Sequence, residues 1–242
     1  MPTRSENKIK KLGSFQSFGE HTLEFHESGH SYMRIRVNDL SLIKTGRSKS
    51  THSLKMKILK QAITELSGAS PEECEEIGKE LTLKKLKKDQ FILREGRICR
   101  QYYFLEQGTL RLYYNKGNND YTVWMGTPGE VFTNLESYLE AEPSRINIKA
   151  IEPVSVYVIN KEESDQLALR SIAYNTLLRK VVEISFVNLA RNVMSFQSDD
   201  AAERYKRVEV EKNWIAKYPL KYISSFIGVT QSSLSKLRAK KN

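Results

Sequence analysis

Between residues 81 and 160 the chain reads as short β-rich runs broken by glycine, and no other feature restricts its fold as much. The runs fall at residues 91–93, 102–105, 110–114, 121–125, 146–148 and 154–159, each rich in β-branched and aromatic side chains. Gly96, Gly108, Gly117, Gly126 and Gly129 punctuate them and are expected at the turns, where a backbone with positive φ is needed. Parallel strands need long crossovers, usually helical, and no amphipathic helical period separates these runs. The expectation is therefore an antiparallel β-roll of the jelly-roll type.

Helical signals flank this region. Ile58, Leu59, Ala62, Ile63 and Leu66 recur at helical spacing, and Ser70-Pro71-Glu72-Glu73 has the form of a capping box with proline at the first helical position. Glu72, Glu73, Glu75 and Glu76 then sit in the first turns of a helix, where carboxylates offset the helix dipole and carry no catalytic implication. Residues 172–196 contain neither proline nor glycine and predict one long helix. Leu178, Val182, Ser185 and Leu189 step by four and three along it, while Val181, Ile184, Phe186, Val187 and Val193 populate other faces. One face can pack on the β-rich domain and another on a second copy, which predicts a parallel homodimer. A helix buried wholly within one chain would show the same pattern.

Charge becomes informative when located. Of the formal net charge of +10, residues 1–55 carry +5, residues 56–211 carry −2 and residues 212–242 carry +7, with no acidic side chain after Glu211. A surface facing phosphates requires such a balance; a merely basic tail is the plainer reading. Within that tail, residues 220–238 read as helix, tight turn, helix. Ile223, Phe226 and Ile227 supply an inner face, Gly228 permits the left-handed backbone that ends the first helix, Val229 fills the angle, and Thr230 caps the second, which Leu234 and Leu237 anchor. With those positions inside, Gln231, Ser232, Ser235 and Lys236 face outward as candidate base readers in a major groove. Candidate phosphate contacts are Thr230, Ser233, Lys221, Arg238, Lys240 and Lys241, with Lys212 and Lys217 also basic.

Other chemistries lack their parts. The two cysteines, Cys74 and Cys99, are too few for a four-thiolate cluster. All four histidines lie in the first 55 residues, so none is expected to serve as haem ligand, zinc ligand or catalytic base in the rest of the chain. There is no glycine-rich phosphate cradle and no metal-ligand spacing. No enzyme activity, metal or cofactor is expected. Nothing resembles a secretory leader or a bilayer-spanning apolar run, so a cytoplasmic location with reduced thiols is expected. Residues 1–55 mix Gly, Ser, Thr, Lys and His without sustained periodicity, apart from a strand-like alternation over 32–37. They are expected to be a poorly ordered appendage, or a misassigned start with Met56 as the true initiator.

The order of these features resembles the Crp/Fnr superfamily of bacterial transcription regulators. The resemblance is carried by Pro128-Gly129-Glu130 after a β-rich run, Pro143-Ser144-Arg145 about fifteen residues later, the long helix and the terminal two-helix motif. Leu93-Arg94-Glu95-Gly96, Tyr103-Phe104-Leu105-Glu106-Gln107-Gly108 and Leu110-Arg111-Leu112-Tyr113 are similar to the opening hairpins of its β-roll. It implies an α+β chain of four parts: the appendage at 1–55, a cyclic-nucleotide-binding-like β-roll with flanking helices at 56–170, a dimerisation helix at 171–198, and a helix-turn-helix domain at 199–242. It also implies a homodimer that binds an inverted repeat in double-stranded DNA and contacts RNA polymerase, without a membrane partner. Cyclic-AMP-binding members place a glutamate after Pro-Gly-Glu and an Arg-Ser pair on the phosphate. Here Asn134 stands at the glutamate position and the pair is inverted to Ser144-Arg145, so an unknown small-molecule effector other than cyclic AMP is expected. Asn134, Glu136, Ser144, Arg145, Arg111 and Trp124 are the candidate pocket residues. Many relatives carry a glutamate where this chain has Ser232, which implies an altered target sequence. The competing reading is a small-ligand β-roll module that signals through protein partners without sequence-specific DNA binding.

Overall fold

The computed structural model describes residues 56–212 and 214–239. The expectations for residues 1–55, the strand at 32–37 included, and for Lys240 and Lys241 lie outside the described residues. Two helices, α1 (Lys57–Ser67) and α2 (Pro71–Lys79), precede eight strands: β1 (Thr82–Leu86), β2 (Phe91–Leu93), β3 (Gln101–Gln107), β4 (Leu110–Lys116), β5 (Asn119–Gly126), β6 (Val131–Phe132), β7 (Asn147–Ala150) and β8 (Val154–Asn160). Helix α3 (Leu135–Glu140) lies between β6 and β7, and α4 (Lys161–Arg170) leads into α5 (Ile172–Ser198). Then come α6 (Ala201–Lys212), α7 (Trp214–Lys217), α8 (Leu220–Ile227) and α9 (Gln231–Ala239). The strands form two antiparallel four-stranded sheets, ordered β1-β8-β3-β6 and β2-β7-β4-β5. This is the expected α+β arrangement of β-roll, long helix and terminal helix pair.

The capping box at Ser70 is present in full, with the Ser70 hydroxyl accepting from the Glu73 N–H and the Glu73 carboxylate accepting from the Ser70 N–H. Four of the five punctuating glycines have positive φ. Gly126 does not: it closes β5, where an added Cβ would meet the Phe132 ring at 3.0 Å, so its role is close approach, not a turn. The sequence reading also passed over β1, β6 and α3. β1 carries Lys84 and Lys85 along a sheet edge, where charge protects the side of the strand that β8 does not pair and hides its apolar period. β6 is two residues long and α3 six, too short for either period to register.

Strands β3 and β8 are buried on both faces, which is why they read as continuous apolar runs. Tyr103 and Leu105, with Val154, Val156 and Val158, fill the space between the sheets. Tyr102 and Phe104, with Tyr157 and Ile159, face outward under α1, α2, α4 and the first half of α5, where Leu59, Ile63, Tyr174 and Leu177 are fully buried. Alternate side chains thus serve two cores.

Helix α1 has no side-chain cap of its own; its first N–H groups are met from the sheet. The Glu106 carboxylate accepts from the Ile58 N–H at 3.2 Å and the Leu59 N–H at 2.9 Å. Burial raises the Glu106 carboxyl above its ordinary range, and the bonds from the helix oppose that rise. Glu106→Ala orphans these donors and is expected to lower stability by about 1–2 kcal/mol in urea unfolding. Glu106→Gln, which keeps an acceptor oxygen, should recover most of it. An unchanged midpoint for the alanine variant would show that water replaces the cap.

Candidate nucleic-acid interface

The C-terminal helices pack around one small core of Tyr205, Val208, Trp214, Tyr218, Ile223, Phe226, Ile227 and Leu234. Three of these, Ile223, Phe226 and Ile227, form the inner stripe of α8. Gly228 ends α8 with φ 74°, its N–H returned to the Ser224 carbonyl, and the Phe196 ring from the end of α5 closes over it. The Val229 N–H also reaches Ser224 O at 3.0 Å, which satisfies the helix end. Thr230 starts α9 as expected: its hydroxyl accepts from the Ser233 N–H at 3.1 Å. The hydroxyls of Thr230, Ser232 and Ser233 lie 2.9 Å apart in two pairs.

Leu234 is fully buried and Leu237 half-buried, so α9 turns Gln231, Ser232, Ser235 and Lys236 to solvent together, with Arg238 exposed beyond them. No acidic side chain lies anywhere in residues 212–242 to oppose a phosphate. Lys221 is placed differently from the other candidates: its ammonium pairs with the Asp120 carboxylate of β5 at 3.3 Å.

That pair belongs to a joint between the β4–β5 hairpin and α8 that the sequence did not announce. The buried Arg111 guanidinium lies between the rings of Tyr113 and Tyr222, 4.4 and 4.2 Å from their centroids. It donates to Thr122 Oγ1 at 2.9 Å and to Asp120 Oδ1 at 2.7 Å. The bond from Arg111, followed by the one from Lys221, holds the Asp120 carboxyl below the usual carboxylate range. The Ser225 hydroxyl donates to the Asp120 carbonyl at 2.8 Å and accepts from the Thr122 N–H at 2.7 Å. Trp124 packs edge-on against Trp214 and Phe226, while its Nε1 donates to Glu130 at 2.8 Å.

The six candidate pocket residues are therefore not gathered around one cavity. Arg111 and Trp124 belong to the joint. Asn134 and Ser144 are buried and bonded to each other, Asn134 Nδ2 donating to Ser144 Oγ at 2.7 Å, and Ser144 also donates to the Ile146 carbonyl. Arg145 extends into solvent and pairs with Glu136 at 2.6 Å. Ser144 and Arg145 precede β7, outside any strand, so their divergence comes from the local turn and not from strand alternation.

On α5, Leu178 packs partly against the β-roll core, whereas Val182, Ser185 and Leu189 are exposed. The exposed apolar stripe runs through Val182, Phe186, Leu189, Val193 and Phe196, stepping four, three, four, three. Val182 and Leu189 of the expected seam lie on it, together with Phe186 and Val193, which the spacing places on other faces. Leu177 and Val181 are buried, which leaves this stripe uncovered. An open groove of about 490 Å³ lies at its N-terminal half, between Leu178, Val182 and Phe186.

Among the described residues there is no cluster of His, Cys, Asp and Glu suited to a metal, and no helix long and apolar enough to cross a membrane. Both cysteines are free and buried.

The profile of the cyclic nucleotide-binding domain family matches residues 83–171. No curated protein matches the sequence. Solved structures share its fold at low identity. A mutant of CooA from Carboxydothermus hydrogenoformans is 15% identical, covers 74% of this chain and 83% of its own, and superposes with a TM-score of 0.59. The c-di-GMP responsive global regulator CLP of Xanthomonas campestris is 12% identical over 71% of this chain and 91% of its own, with a TM-score of 0.57. A chain from Eubacterium rectale assigned to the Crp/Fnr family of transcriptional regulators is 13% identical over 70% of this chain and 82% of its own, with a TM-score of 0.55. Residues 83–171 thus match the cyclic nucleotide-binding domain family, and the chain shares the fold of these solved regulators.

Proposed function

We propose that this protein is a DNA-binding transcription regulator that reads an inverted-repeat site as a homodimer. The observation that carries this is α9: a recognition-type helix whose outer face, Gln231, Ser232, Ser235 and Lys236, is exposed in a segment devoid of acidic side chains. The exposed heptad-like stripe on α5 supplies the seam for a second copy, which sets two reading heads about a two-fold axis. Gln231 is suited to adenine, and the serines are permissive. RNA polymerase is the partner such a regulator addresses from a promoter, and its action there is not enzymatic. The β-roll is a sensor whose effector is not cyclic AMP: Asn134 and Ser144, at the positions that bind that nucleotide in the family, satisfy each other.

Selection of the purified protein against random duplexes tests this reading. A two-fold symmetric site with half-sites about 34 Å apart is expected. Lys236→Ala and Arg238→Ala should each flatten the dependence of log affinity on log salt by about 0.9 for every phosphate contact removed. Binding that is only salt-sensitive and never selects a sequence, with and without cytoplasmic extract, would favour the protein-partner module instead.

A further inference from the structure

Strand β5 does something that neither the sensor nor the reading head requires of it alone. It packs along α8 from its tip to its end, Asp120 on Lys221, Thr122 on Ser225 and Trp124 on Phe226. A further bond, between the Thr109 and Tyr218 hydroxyls at 3.1 Å, ties the β3–β4 turn to the turn before α8. Met125 of β5 is wholly buried in the core of the C-terminal helices.

We propose that β5 positions the reading head, with Asp120 and Ser225 as its positioning residues. The proposal rests on the DNA-binding reading and deepens it. The bonds come from Tyr218, Lys221, Tyr222 and Ser225, all ahead of α9, so the joint fixes the orientation of α9 while leaving its outer face exposed. The buried Arg111 makes the attachment directional: its guanidinium is held in plane by two tyrosine rings and bonded to Asp120, which in turn reaches Lys221. A head free to swivel presents α9 correctly for only a fraction of the time, and its apparent affinity for a symmetric site falls by that fraction. Contact with phosphates in any register is indifferent to that orientation.

The joint also touches the turn between β5 and β6. Glu130 of Pro128-Gly129-Glu130 accepts from the Trp124 indole and from the Thr127 hydroxyl, and the same indole packs on Trp214 and Phe226. One side chain thus spans that turn and the reading-head core.

The protein supplies its own probe. Its two tryptophans, Trp124 and Trp214, are both in the joint with ring centroids 5.8 Å apart, so tryptophan emission reports the joint and nothing else. Ser225→Ala removes two bonds without touching a charge; Asp120→Asn is the second variant, and Ser225→Thr is the conservative rescue. Both variants are expected to red-shift the emission and weaken binding to the selected symmetric duplex by about tenfold, if the competent orientation falls to about a tenth. Binding to random duplex at the same salt should change less than about twofold, and Ser225→Thr should restore both readouts. An emission shift with specific binding intact, an equal loss on random duplex, or unmoved emission in both variants would each overturn the proposal. Failure of the DNA reading itself appears separately, in wild-type protein that selects no symmetric site, and removes the proposal with it.

Discussion

Phe186→Glu is expected to yield a folded monomer that no longer selects a symmetric DNA site. Phe186 is 70% exposed and Leu189 60% exposed in a stripe that has no polar interruption from Val182 to Phe196 at its heptad-like positions. A soluble chain that leaves such a row uncovered invites association with a like surface. Burying a phenylalanine side chain contributes about 1.5–3 kcal/mol, and a two-fold interface counts every substitution twice, so about 3–6 kcal/mol is at stake. The dimer dissociation constant should rise by roughly 10²–10⁴-fold. Sedimentation equilibrium checks this, with circular dichroism confirming that the β-roll, whose cores Phe186 does not enter, remains intact. A Phe186→Glu protein that stays dimeric would place the interface on another face of α5. Leu178→Glu would then separate the cases, because Leu178 packs partly on the β-roll core and its substitution lowers fold stability as well.

The largest loss of stability from a single methyl group is expected at Gly108, in the turn from β3 to β4. Its φ is +85°, where a Cβ strains the backbone, and an ideal Cβ would sit 2.3 Å from the Pro153 carbonyl oxygen and 2.9 Å from Val154 Cγ2. The first obstacle is backbone and cannot rotate away. Strain at such a φ costs about 1–3 kcal/mol by itself, and displacing the Pro153 turn adds to it. Gly108→Ala should therefore lose more than about 3 kcal/mol and lower the Tm by roughly 6–12 °C. Differential scanning calorimetry measures it. A Tm within about 2 °C of wild type would mean that the Pro153 turn yields freely and contributes little to the roll.

Much of the fold was legible because it is encoded within a few residues. The capping box at Ser70, the left-handed Gly228 and the Thr230 cap each act across three or four positions, and all three form as read. The six β-rich runs each became a strand for the same reason. The packing of Arg111 and Trp124 against the C-terminal helices was not legible in the sequence, because Tyr222 and Phe226 reach them from about a hundred residues away. Which apolar face of α5 stays exposed was not legible either. Periodicity alone cannot choose between two apolar faces until Leu177 and Val181 are seen to dock on the roll.

What the sequence determined by itself was local and compositional: which segments coil and which extend, where they stop, and that the last 31 residues carry seven positive charges and no negative one. Those follow from backbone preferences, side-chain periodicity and the count of charges, none of which needs a distant partner. Only the tertiary structure decided that Glu106 caps a helix 47 residues away, that Lys221 meets Asp120 in place of open solvent, and that Ser225 completes a strand 103 residues earlier. Such contacts depend on how elements far apart in sequence pack against each other. No local rule encodes that packing, because its energy is shared between side chains that only the tertiary fold brings together.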